Sequence, residues 1–170
     1  MEKIKLTRNE LAGIARVLNS LNGSYSIKMK YAIKKNKDFL KNEVDAIDEA
    51  SITNSKRFKE YDEKRMKIVD ECGEKQNGQF KFLPDGKSVT IRDDKKEYFA
   101  KTLSVLQEEY KDGIDERNKE LKDFENFLKE QVEIEVFKFS NDIIPDDISQ
   151  SMYETLFPLI IIWRKYVWKH

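Results

Sequence analysis

Cysteine and histidine are almost missing: Cys72 stands alone, and the single histidine is His170. A lone cysteine excludes an internal disulfide and suits a reducing compartment. One histidine at position 170 leaves no His-based triad, His-containing zinc site or His general base inside a folded pocket. Proline and glycine are scarce as well, at three and six residues. Ser26–Cys72 contains neither, and Asp93–Gln131 is broken only by Gly113. Long apolar runs are lacking too. The most apolar stretch, Leu156–Trp163, is eight residues with Pro158 inside it, where a membrane span needs about 20. The opening MEKIKLTRNE has no apolar core of a signal peptide. A cytoplasmic protein without a membrane partner is expected.

Charge is abundant: 38% of residues are Asp, Glu, Lys or Arg, against 39% hydrophobic. Disorder is the usual alternative for so charged a chain, but ten Phe, seven Tyr and two Trp argue for a folded core. The formal net charge is zero, yet unevenly spread. Residues 1–37 hold nine Lys or Arg against Glu2 and Glu10, residues 136–170 balance, and the middle is acidic.

Along the chain, Lys3–Leu6 alternates weakly and reads as a short strand or an arm. Thr7 with Glu10 is a capping box, after which Leu11, Ile14, Ala15, Leu18 and Leu21 form one helical face that Asn22-Gly23 ends. The long run follows with Met29, Ile33, Asn36, Leu40, Val44, Ile47, Ser51, Asn54, Phe58, Tyr61, Arg65, Ile68 and Cys72 at steps near three and four, a seam for another helix. Cys72 is explained as a seam position, without a catalytic partner. Ser51–Ser55 gathers poor helix formers, so the helix either kinks there or ends and is capped again by Asn54 or Ser55. Gly73 reads as a helix C-cap. Asn77-Gly78 marks a turn, and Phe80–Leu83 and Ser88–Ile91 flank Pro84-Asp85-Gly86 as a hairpin. The return run carries Phe99, Leu103, Leu106, Tyr110, Ile114, Arg117, Leu121, Phe124 and Leu128, with a stutter beside Gly113. Folded back antiparallel, it sets Leu40, Val44 and Ile47 near Leu121, Phe124 and Leu128. Val132–Val136 alternates as a strand, shifts phase at Phe137–Phe139, and is a candidate partner for Lys3–Leu6. Pro145-Asp146-Asp147 reads as the start of a last helix with Ile148, Met152, Leu156 and Leu159 on its apolar face. The fold class expected is mainly α with a minor β part: a long antiparallel helical hairpin over 26–131, a tip hairpin over 79–91, and a small α/β head from 1–25 and 132–170, all one domain. The seams are satisfied either within the chain or between copies, so a homo-oligomer remains open.

The constellations point to binding. Most carboxylates lie at helical spacing from Lys or Arg, as in Glu60 with Lys64, and form solvated ion-pair faces. Asp142, Asp146 and Asp147 suit a helix start better than a metal, and Pro84–Ser88 lacks the spacing of a phosphate loop. No catalytic residue, cofactor or metal is expected. Lys30, Lys34, Lys37 and Lys41 line one helix stripe, with Lys28 and Lys35 beside it, which suits phosphates or plain solvation. At the hairpin tip, Phe82, Asp85 and Lys87 are candidates for a protein partner. So are Trp163, Tyr166 and Trp168 in the cationic, aromatic C-terminal segment, which otherwise closes the head core.

The order of these features resembles a group of small uncharacterised phage and prophage proteins from low-GC Gram-positive bacteria. It rests on the capped Lys3–Leu11 (KIKLTRNEL), the Lys/Glu-rich hairpin Ser26–Gln131 and the strand Val132–Phe139 (VEIEVFKF). The resemblance implies a non-enzymatic accessory protein in the host cytoplasm that binds a host or phage protein, with inhibition of a host defence protein as its role. Two other roles stay open: a virion assembly factor or component, and a nucleic-acid-binding protein using Lys28–Lys41. The resemblance assigns no functional residue.

Overall fold

The structure, a computed structural model, describes residues 2–161. Its elements are mainly helical, with three small two-stranded sheets, the expected fold class. The described residues divide into two compact units, 2–51 with 124–161, and 52–123. Helix α2, read from the sequence as part of the long hairpin, falls in the first.

The first unit is built on a strand pair and a capped helix. Strands β1 (Glu2–Thr7) and β4 (Gln131–Val136) pair antiparallel, with Leu6 opposite Val132 and Ile4 opposite Ile134. Alternation puts Leu6, Ile134 and Val136 into the core and leaves Lys3 and Glu133 outside as an ion pair at 3.2 Å. Thr7 ends the strand and caps α1 (Arg8–Ser20): its hydroxyl accepts from the Glu10 amide, and Glu10 accepts from the Thr7 amide. The face Leu11, Ile14, Ala15, Leu18 and Leu21 is buried as its spacing requires. Helix α2 (Ile27–Glu49), capped by Ser26, buries Met29, Ala32, Ile33, Leu40 and Ile47 in the same core. Phe124 and Leu128, from α5 (Lys111–Lys129), pack against that core together with Val44. Leu121 departs from the expected seam: it lies in the other unit and is exposed.

Asn36, the polar member of the α2 seam, is fully buried. Its Nδ2 donates to the carbonyls of Ala32 and Phe137, and its Oδ1 accepts from the Phe137 amide at 2.9 Å. Strand β4 runs out of partner at Val136, opposite Glu2. The amide side chain therefore takes the place of a neighbouring strand for Phe137, satisfying a backbone donor and acceptor that burial would otherwise penalise. This is the physical origin of the phase shift after Val136. Strand β5 (Phe139–Ser140) then pairs parallel with β6 (Ile160–Ile161).

The last helix begins later than its sequence suggests. Residues 145–148 form a turn, closed by the Ile148 amide on the Pro145 carbonyl, and α6 spans Gln150–Leu156 with Ser149 accepting from the Met152 amide. A serine cap with good geometry outweighs the Pro-Asp-Asp signal four residues earlier. Leu156 and Leu159 are fully buried.

The second unit pairs α3 (Lys56–Cys72) with α4 (Lys96–Glu109). The first long run thus breaks: α2 stops at Glu49, and Ser55 caps α3 by accepting from the Phe58 amide. Contacts run in opposite order along the two chains, Lys95 to Glu71, Lys64 to Glu109 and Arg57 to Asp112, so α3 and α4 are antiparallel. Tyr61, Leu106 and Tyr110 are their buried centre, with Phe58, Ile68 and Ile114 against it. Helix α5 (Lys111–Lys129) follows after Tyr110 alone. Arg57 covers this break: its guanidinium lies 4.1 Å from the Tyr110 ring centroid and donates to the Glu109 carbonyl. Gly113 lets it come that close, since a Cβ there would sit 2.7 Å from Arg57 Cγ.

Between α3 and α4 the chain makes more than one hairpin. Asn77 and Gly78 both take positive φ, 53° and 78°, and join β2 (Lys75–Gln76) to β3 (Gln79–Phe80), the two-residue turn that Asn-Gly favours. Phe82 bridges Val89 around Pro84-Asp85-Gly86, as read from the sequence, and Gly73 bridges Ile91. Lys81 donates to the Glu74 carbonyl, Thr90 to that of Lys81, and Glu74 to that of Thr90. Three extended segments thus close on one another. Gly73 is the C-cap of α3, as read from the sequence, its amide donating to the Val69 carbonyl with φ at −67°. It is there for space: a Cβ would lie 2.8 Å from the Val69 carbonyl oxygen and 2.9 Å from the Phe80 ring. Gly73→Ala is accordingly expected to destabilise the protein by about 2 kcal/mol, the usual cost of overpacking, measured by urea denaturation.

Candidate protein interface

The turn over 82–88 combines rigidity with exposed apolar surface. The Leu83 amide donates to the Ser88 carbonyl and the Gly86 amide to that of Leu83, closing the loop around Pro84. Inside it the Asp85 carboxylate accepts from the amides of Lys87 and Ser88, both at 2.9 Å, and from the Ser88 hydroxyl at 2.6 Å. On this frame Phe82 is 52% and Leu83 45% exposed. Beside it, Leu83, Val89, Ile91 and Phe99 line a cavity of about 450 Å³ with Glu74, Asp93 and Lys96 at its rim. Large side chains held outward on a fixed backbone bind with little ordering cost.

The Ser88 hydroxyl, then the two amides, hold the Asp85 carboxyl below its ordinary range. A depressed folded value means the carboxylate stabilises the turn above the unfolded pKa of about 3.9, and that this contribution is lost as pH falls through the lower folded value. The amide resonances of Lys87 and Ser88 are therefore expected to titrate together with a midpoint below that of a free aspartate, as followed by NMR. An ordinary midpoint would mean the carboxylate is not engaged.

Of the tip candidates, Phe82, Asp85 and Lys87 share this turn, with Lys87 exposed. Leu83 joins them unannounced. Asp85 is the internal tie of the loop, so contact falls to the others.

The lysine stripe lies in the other unit, along the groove between α1 and α2. Lys30, Lys34 and Lys37 line a cavity of about 270 Å³ with Leu21, Tyr25 and Ile33. Lys37 and Lys41 line a second of the same size with Ala15 and Val44. Lys34 pairs with Asp38 and Lys41 with Asp45, one turn on, and the Asp45 hydrogen bond raises the Lys41 pKa. Two of the four cations are thus matched, which thins the field a phosphate backbone would meet. Trp163, Tyr166 and Trp168 lie outside the described residues.

Cys72 is fully buried, and desolvation, with Glu71 nearby, pushes its thiol up, against the low value a nucleophile needs. Asp142 is held low by the Ser140 hydroxyl, an account that requires no metal. Among the described residues no cluster of three or more His, Cys, Asp or Glu is arranged to hold a metal ion, and no helix is long and apolar enough to cross a membrane. No protein-family model matches the chain, nor does any curated protein or solved structure compared with it.

Proposed function

We propose that this chain acts by binding another protein and catalyses no reaction, and that the turn over 82–88 is its contact. The observation that carries this reading is the pair Phe82 and Leu83, about half exposed on a loop tied by Asp85. Aromatic and aliphatic groups on a rigid protrusion fill a pocket on a partner, where a few buried anchors supply most of the affinity. The resemblance to phage and prophage proteins supplies the setting: an accessory protein in the host cytoplasm that occludes a host protein, a defence effector foremost.

Capture from a host lysate tests it. A partner held by the wild-type chain should bind Phe82→Ala/Leu83→Ala at least about 30-fold more weakly by calorimetry, the loss of one hot spot, while the circular dichroism spectrum stays the same. Equal affinity would overturn the assignment of the turn. A captured structural protein, with the chain present in purified particles, would instead make it an assembly component. Salt-dependent retention on DNA, lost on Lys30→Glu/Lys37→Glu, would favour the basic stripe.

A further inference from the structure

The cavity beside the displayed turn is fixed in advance, and its walls select what it can hold. Leu83, Val89, Thr90 and Ile91 line it from the extended segments, and Phe99 from the first turn of α4. Thr90 is tied on both sides: its amide donates to the Lys81 carbonyl, and its carbonyl accepts from the Glu74 amide. Ile91 bridges Gly73. A hollow of about 450 Å³ on so paired a backbone spares an entering group the cost of ordering its surroundings.

Charge at the rim narrows the choice. Glu74 already holds Lys81 at 3.0 Å, and Asp93 holds Lys96 at 2.6 Å. An ammonium or carboxylate entering there would find its counter-charge taken and would still lose its water. The apolar floor is left to an uncharged side chain. Lys87, on the turn itself, differs: it is exposed, and its ammonium enters no ion pair among the described residues. It is the cation there that a carboxylate can still match. Leu83 joins the two features, half exposed on the turn and part of the cavity wall. A partner that covers Leu83 therefore lies across the cavity mouth as well.

We infer that the partner bound at this turn inserts a large uncharged side chain, of Leu, Phe or Trp type, into the cavity and sets a carboxylate against Lys87. The inference rests on the turn over 82–88 being the contact. Its first test needs no partner and no substitution. The methyl resonances of Leu83, Val89 and Ile91 are followed by NMR as N-acetyl-tryptophanamide, N-acetyl-leucinamide or N-acetyl-lysinamide is added to the full chain. The two uncharged probes should shift them saturably, and the lysine probe should not. No shift from the uncharged probes, or equal shifts from all three, would overturn the inference. The second test uses the partner captured by the wild-type chain. Thr90→Phe, which fills the cavity, and Lys87→Glu should each weaken it about tenfold, the latter only at low salt, with the circular dichroism spectrum unchanged. A partner that loses affinity for Phe82→Ala/Leu83→Ala but binds folded Thr90→Phe or Lys87→Glu as tightly as wild type would overturn this inference and leave the turn as the contact. A partner indifferent to Phe82→Ala/Leu83→Ala would overturn both.

Discussion

Asn36→Ala should lower the stability of the protein by about 3 kcal/mol, because it orphans two backbone groups of Phe137 at roughly 1–3 kcal/mol each. The side chain is fully buried and makes three hydrogen bonds, two of them to a residue 101 positions away. Asn36→Leu separates shape from polarity: it keeps the branched four-atom side chain but supplies neither donor nor acceptor, and should cost at least as much. Chemical denaturation at unchanged m-value reads the loss. A cost under about 0.5 kcal/mol, typical of a surface position, would show that the Phe137 backbone finds other partners.

Leu156→Ala should be comparably severe, at about 3–4 kcal/mol, through the methyl groups removed and the cavity left. Leu156 is fully buried in the core that also holds Leu11, Ile14 and Leu18. Helix α6 has only seven residues, too few to hold together without tertiary packing. Its apolar anchor therefore matters twice, for the core and for the helix itself. Hydrogen exchange should show α6 amides losing protection in Leu156→Ala before those of α1. Uniform loss across both helices would mean that α6 opens only with the whole unit.

Much of this fold could be read locally. Thr7 with Glu10 announces α1 because both partners of the cap lie within four residues. The run of poor helix formers at Ser51–Ser55 announces a kink or a break before α3, and the structure has the break, capped by Ser55. Clean alternation in Val132–Val136 and weaker alternation in Lys3–Leu6 made β4 and β1 candidate partners, and the observed register buries Leu6, Ile134 and Val136 together. What escaped depends on distant neighbours. Asn36 reads as a polar flaw in a seam until Phe137 is placed beside it. Gly73 ends α3 as its sequence suggests, but the closeness of the Phe80 ring, which is what demands a glycine, could not be read there. Pro145-Asp146-Asp147 has the composition of a helix start, but Ser149 offers the better cap. The closure of 73–91 into three mutually paired segments leaves no mark on the hydrophobic pattern of any one of them.

The candidate site was legible in the same partial way. Pro84-Asp85-Gly86 flanked by apolar residues located the displayed turn and Phe82. Leu83 was missed because strand alternation assigns it the face opposite Phe82, while at the mouth of the loop both stand clear of the packed helices. The matching of Lys34 and Lys41 was available in advance, since Asp38 and Asp45 follow each by four residues. Spacing alone made the stripe look more positive than its ion pairs leave it.

Site-specific photo-cross-linking tests the central claim most directly, with a benzophenone amino acid at position 82 and, as control, at exposed Glu49 in the other unit. On irradiation in cells that produce the chain, position 82 should yield one discrete adduct with a single protein, suppressed by excess unlabelled wild-type chain and missing from the control. Adducts of equal yield from both positions, or none from position 82 while the chain still captures its partner, would contradict it.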